Sequence, residues 1–336
     1  MNQFVTVYKL SDLAVFDVTG ADAVSFMQGQ ITNDIAGAAP TRSRLAGYCT
    51  PQGRLLATMV LHHAAPLSDG TPVLRGLIKR DILTPVLKRL SMFVMRAKAK
   101  LTENMSIVRG VSISQGNLTK LQALADSQLP VGVWEIIESS AGTWISAPAT
   151  DKYRWWLIST EAQNTIAEAL FADATMHQPQ QWYASDIAEG LPWIEAATQD
   201  LFIPQTLNLD LIEGVSFTKG CYPGQEIVAR SHYRGTLKRR MFSATLREQE
   251  SQSKTLETDA TVSKFLVPGI DIYDSSREDQ VCGRIINIAQ TVTETQLLIE
   301  SSFEALDNNK LHANSPDGPE LILQKLPYSV RLEPNK

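Results

Sequence analysis

An α+β fold that ends in a small antiparallel β-barrel is predicted by three features of the chain. Strand-like and helical stretches interleave from residue 13 to residue 189. Beyond Arg240 the composition shifts, and Ser, Thr, Asp and Glu separate short β runs. At 336 residues the chain exceeds one ordinary core and suits two or three domains.

Residues 13–18 alternate as a strand does, and Thr19-Gly20-Ala21-Asp22 breaks the run. Val24, Phe26 and Met27 then sit at helical spacing, so a helix is expected over 21–30 with Asp22 capping its first turn. Extended runs follow at 45–49, 55–62 and 73–79, before a helix over 80–93. The pattern recurs with a strand at 107–113, a helix at 117–125, strands at 131–137 and 153–158, and helices at 161–171 and 180–189. Two α+β units of similar size are the simplest reading, and no repeat is strong enough to prove duplication. Runs at 265–273, 281–289, 296–300 and 320–323 supply the barrel. The domains expected are 1–105, 106–238 and 239–336, with strands of the first two free to interleave.

A hydrophobic content of 43%, with 20% charged residues, is that of a soluble globular protein. The net charge of -5 argues against nucleic-acid binding over the whole surface, yet local basic strips remain. One is Arg230, His232, Arg234, Lys238, Arg239 and Arg240, with Tyr233 its sole aromatic; the other spans Lys79 to Lys100. Solvated faces are the default for such runs. Cys49, Cys221 and Cys282 are odd in number and widely spaced, so neither a zinc site nor a disulfide framework is expected. His62, His63, His177 and His312 lack metal spacing and read as surface or strand-end residues. No signal peptide and no bilayer-spanning stretch is visible, so a reducing cytoplasm without membrane contact is the expected setting.

One segment carries chemistry: Lys219-Gly220-Cys221-Tyr222-Pro223-Gly224-Gln225-Glu226. Pro223 and Gly224 suit the central positions of a type II turn, since proline presets the first φ and glycine accepts the positive second. Residues 225–230 lack glycine and proline and read as a short helix, which sets the Cys221 sulfur near a helix N-terminus. That field, with cationic Lys219, favours thiolate over thiol. Cys221 is therefore the candidate nucleophile, Lys219 its charge partner, and Gln225 or Glu226 the orienting groups. A structural turn with an incidental thiol is the plainer alternative. Cys49 and Cys282, within β runs, read as small buried hydrophobes.

The run Lys-Gly-Cys-Tyr-Pro-Gly-Gln-Glu-Ile-Val-Ala-Arg over 219–230 closely resembles the signature of the YgfZ folate-binding proteins. These belong to the superfamily of the glycine-cleavage T-protein, an aminomethyltransferase that uses tetrahydrofolate. Gly20-Ala21-Asp22, Gln28-Gly29-Gln30-Ile31-Thr32-Asn33-Asp34, Gly53-Arg54, Gln181-Trp182, Phe202-Ile203-Pro204-Gln205 and Tyr233-Arg234-Gly235 agree with it. The resemblance implies two ferredoxin-like domains and a C-terminal barrel around a central pterin pocket. It implies tetrahydrofolate or a one-carbon derivative as ligand, and upkeep of iron-sulfur enzymes, including those that thiomethylate tRNA. Iron-sulfur enzymes or assembly proteins are then the expected partners, with tRNA reached indirectly.

By the same resemblance, Trp182, Glu189, Asn33, Leu13, Tyr222 and Arg230 are the residues expected around the ligand; the charge of the basic strips offers, as the functional alternative to solvated faces, a landing strip for a folate glutamate tail or RNA phosphates. The plainer readings are core packing for Trp182, a solvent-facing carboxylate for Glu189 and a capping turn for Asn33. Two departures matter. Leu13 stands where bacterial members that fit the family name carry a pterin-flanking tryptophan, which should weaken stacking. Gly53-Arg54-Leu55-Leu56-Ala57-Thr58-Met59 lacks the carboxylate that transferase relatives place after their glycines, so the parent aminomethyl transfer is not expected. The alternatives are a folate-dependent one-carbon transferase or demethylase, and a non-catalytic adaptor for tRNA or protein.

Overall fold

A computed structural model describes residues 4–233, 237–246, 266–277, 280–308 and 310–330. Two sheets and a barrel make up the chain. The first sheet has five strands: β2 (Leu13–Thr19), β3 (Arg44–Cys49), β4 (Leu55–Ala64), β5 (Val73–Lys79) and β6 (Lys100–Asn104), in the order β3-β4-β5-β2-β6. Helix α1 (Ala23–Gln28) follows β2, and α2 (Arg80–Ser91) lays Ile82, Leu83, Val86 and Leu90 on the core at helical spacing. Asp17 and Arg75, directly opposite on β2 and β5, form a half-buried bidentate pair.

The second sheet has six strands: β1 (Val5–Lys9), β7 (Ile107–Ser114), β8 (Ile136–Ser139), β9 (Gly142–Ser146), β10 (Lys152–Ser159) and β11 (Thr175–His177), in the order β11-β1-β7-β10-β9-β8. Helices α3 (Leu118–Ala125) and α4 (Glu161–Leu170) belong to this part of the chain, and α5 (Pro179–Ala188) packs against the barrel as well as against β1. The barrel is closed and antiparallel, as expected: β12 (Arg239–Leu246), β13 (Asp271–Asp274), β14 (Gln280–Gln290), β15 (Thr295–Ser302), β16 (Leu311–Ala313) and β17 (Glu320–Gln324). Closure leaves it no free sheet edge.

Several expectations need correction. Strand β1 was not foreseen, although it joins the second sheet between β7 and β11. The strand expected at 131–137 is only Ile136–Ser139, because Trp134 takes a left-handed φ of 69° and turns the chain before it. Asp22 does not cap α1; its carboxylate accepts instead from the Lys98 amide at 2.7 Å, tying the helix start to the segment before β6. His62 is fully buried rather than at the surface. The strand expected from 265 begins outside the described residues, and within them it is Asp271–Asp274.

Candidate functional site

The cysteine segment folds as its residue types require. The Gln225 amide donates to the Tyr222 carbonyl at 3.2 Å across Pro223 and Gly224, and Gly224 sits at φ 81°. That is a type II turn. Helix α6 (Gln225–Tyr233) starts directly after it, with the Ile227 and Val228 amides closing onto the Gly224 carbonyl. Cys221 is exposed, whereas Cys49 and Cys282 are buried. Burial pushes the Cys49 thiol up to about 12.

Lys219 does not point into solvent. Its ammonium donates to the carbonyls of Gln28 and Ile31, at the end of α1, and lies 4.9 Å over the Tyr222 ring. Desolvation lowers its pKa to about 8, against the opposing pull of Asp34 and Cys221. Lys219 thus pins the loop to the 28–31 segment while its charge stays near the sulfur. Tyr222 is buried, and Glu226 pairs with Arg230 in an exposed i,i+4 contact. Gln225 takes part through its backbone amide.

Upstream, the same chain segment is laced to the turn after α1. Asn33 donates to the carbonyls of Leu45 at 2.7 Å and Glu213 at 2.6 Å, and its own oxygen accepts from the Asp34 amide. Thr32 donates to the Gly214 carbonyl, and the Ser216 amide donates to the Thr32 carbonyl. Asn33 is therefore a structural clamp whose donors are both used. Thr32 and Glu213 were missed because their partners lie far away in sequence.

Glu213 borders a cleft of about 240 Å³, which Glu189, Trp134, Leu211 and Tyr328 also line. Glu189 follows α5 and accepts from the Thr150 amide at 2.8 Å and hydroxyl at 2.9 Å. Each carboxylate oxygen keeps a further lone pair. A larger cavity of about 380 Å³ shares Leu191 with this cleft and is lined by Asp12, Lys79, Tyr183, Glu195 and Asn287. Lys79 pairs there with Asp12 at 2.8 Å and Glu195 at 3.1 Å and lies 4.2 Å over the Tyr183 ring, whose hydroxyl donates to Asp12. Burial opposes the Lys79 charge, but the two carboxylates outweigh it and its pKa is raised.

Trp182 and Leu13 line neither cavity. Trp182 is 1% exposed, with the Arg154 guanidinium 4.0 Å over its ring and Tyr8, Trp156 and Gly110 around it. Leu13 is fully buried in the same core cluster. Both residues do the work of packing. Two residues of the expected basic strips are also internal: Lys79, as above, and Arg240, which grips Asp210 through two bonds and donates to the Gln205 carbonyl. Arg234 lies outside the described residues. Cys221 borders neither of the two cavities. No helix among the described residues is long and apolar enough to cross a membrane, and no metal-binding group of His, Cys, Asp or Glu occurs among them.

Known proteins supply an independent comparison. No protein-family model matches the chain. It is 33% identical over 244 residues to the tRNA-modifying protein YgfZ of three Escherichia coli strains, among them strain HS, covering 71% of this chain and 71% of each relative. Among solved structures, the glycine cleavage system aminomethyltransferase T from Bartonella henselae superposes with a TM-score of 0.62 over 90% of this chain and 80% of that one. At 12% identity, that likeness concerns the fold alone.

Proposed function

The chain belongs to the family of the YgfZ proteins, and from that footing we propose that it supports tRNA modification as a folate-binding protein whose Cys221 thiol keeps iron-sulfur enzymes of thiomethylation in working order. The observation that carries the reading is the exposed sulfur on a turn locked at both flanks, beside a lysine already held in place. An exposed thiol outside any disulfide, set on a rigid bend at a helix start, is suited to reaction rather than packing. One thiolate cannot hold a cluster alone, since clusters normally take four protein ligands, so Cys221 would act on a partner's sulfur or iron.

The Glu189 cleft supports the ligand half of the reading. A pterin head presents ring and amino N–H donors, and the spare lone pairs of Glu189 accept such donors side by side, between walls formed by Trp134, Leu211 and Tyr328. The cleft volume suits a bicyclic head, with the remainder of the vitamin outside it. Three unpaired cysteines accord with a reducing compartment such as the cytoplasm.

The test is complementation of a strain lacking its own copy. Cys221→Ser should fail to restore tRNA thiomethylation while the protein accumulates normally. Full restoration would sink the thiol role. Aminomethyl transfer is set aside because residues 55–59 carry no carboxylate, and turnover of a methylamine donor by purified protein would reinstate it.

A further inference from the structure

Three rings from two parts of the chain meet at the C-terminal end of α6. Phe217 precedes Lys219, while His232 and Tyr233 end α6. The Phe217 and His232 rings stack with centroids 3.7 Å apart and planes 16° apart. Tyr233 stands edge-on to both, 4.7 Å from His232 and 6.2 Å from Phe217. Buried rings in clusters of this kind serve packing, yet Tyr233 is 68% exposed. Two cationic side chains, Arg230 and Lys238, neighbour it in sequence. Arg230 lies on the same helix in a solvent-exposed pair with Glu226, a contact that constrains it weakly, and Lys238 is exposed beyond.

We propose that Phe217, His232 and Tyr233 form a stacking platform for an unpaired base of single-stranded RNA, with Arg230 and Lys238 meeting the flanking phosphates. Every base has a π face, so such a platform holds a strand without reading its sequence, and the cations add a salt-sensitive term. A duplex keeps its bases stacked inside and offers the rings nothing. Helix α6 spans about 12 Å, so the platform and Cys221 occupy opposite ends of one short helix. The inference rests on the tRNA reading above and makes contact with RNA direct, where the sequence suggested an indirect one.

The experiment titrates the full-length protein into a fluorescein-labelled single-stranded RNA of about eight nucleotides, and into its duplex. Single strand should bind more tightly than duplex. Tyr233→Ala should weaken the single-strand complex about tenfold, within the range that one stacked base contributes, and leave the salt slope unchanged. Tyr233→Phe should bind like the wild type. Arg230→Ala should weaken both complexes and reduce the salt slope by about one. Equal affinity for both RNA forms, unchanged affinity in a folded Tyr233→Ala protein, or no binding at low salt would each overturn the platform. Complementation by Cys221→Ser is a separate readout, so the thiol role and the platform can fail independently.

Discussion

Gly53 and Gly224 meet backbone to backbone, and their contact fixes the cysteine turn against the first sheet. Both have left-handed φ values, 76° and 81°. A Cβ on Gly224 would lie 2.6 Å from the Gly53 Cα and 2.6 Å from the Thr50 carbonyl oxygen, leaving no room for any side chain. Gly53 in turn closes the bend between β3 and β4, with its amide donating to the Thr50 carbonyl at 2.9 Å. The two glycine-bearing motifs of the sequence are therefore one structural unit.

Gly224→Ala should destabilise the protein by more than about 2 kcal/mol, because the left-handed conformation alone costs about 1–2 kcal/mol and the backbone clash adds to it. Gly53→Ala should cost less, since its Cβ meets the Ile227 side chain at 3.0 Å. Urea melts measure both. A Gly224→Ala protein as stable as the wild type would mean that the turn yields easily.

Brief alkylation of the native protein should label Cys221 first. Cys49 and Cys282 are 1% and 6% exposed and should react only after unfolding. Peptide mapping by mass spectrometry reads the order. Rapid native labelling of Cys49 would contradict its burial.

Asp186→Ala should cost about 3–5 kcal/mol, because it strands the Arg154 guanidinium in the core without its carboxylate. The two groups pair at 2.6 Å, both almost fully buried, and Asp186 also accepts from the Trp193 indole. Desolvation pushes the Asp186 pKa up while Arg154 and Trp193 pull it down, leaving it raised. Thermal or denaturant unfolding tests the cost, and a loss below about 1 kcal/mol would mean that water reaches the pair.

Tetrahydrofolate binding, followed by calorimetry, should weaken about tenfold in Glu189→Gln while the fold is kept, since a charge-assisted acceptor is replaced by a neutral amide that can still accept from the Thr150 amide and donate to its hydroxyl. Trp182→Ala is the wrong probe for this purpose. Its ring is core, and its loss should cost about 3–5 kcal/mol of stability. Unchanged affinity in Glu189→Gln would move the ligand elsewhere.

His62 should make the protein acid-sensitive. Burial, with Arg75 adding to it, lowers its pKa from 6.5 to about 4. Between these values the unfolded chain takes up a proton that the folded one refuses, so stability falls as pH drops from about 6.5 to about 4, by on the order of 3 kcal/mol. Equilibrium melts across this range should show a shallower slope in His62→Gln. An identical slope would assign the acid sensitivity to other groups.

Much of the architecture was legible in the chain. The strand at 73–79, the helices beginning near 80, 118, 161 and 179, and the barrel each announce themselves through periodicity and turn residues, which act over a few neighbours. The Pro223–Gly224 turn was readable for the same reason: proline and glycine state their own dihedral demands. The cysteine motif needed no tertiary information to be singled out.

Tertiary structure alone decided which side chains face inward and which segments meet. It sent Val5–Lys9 to the second sheet, buried Trp182 under Arg154, hid Lys79 and Arg240 within ion pairs, and brought Phe217 against His232. Backbone preference is written in adjacent residues, whereas burial and pairing depend on contacts between distant ones. A lone Trp, Lys or Phe carries no local mark of the partner that folding will give it.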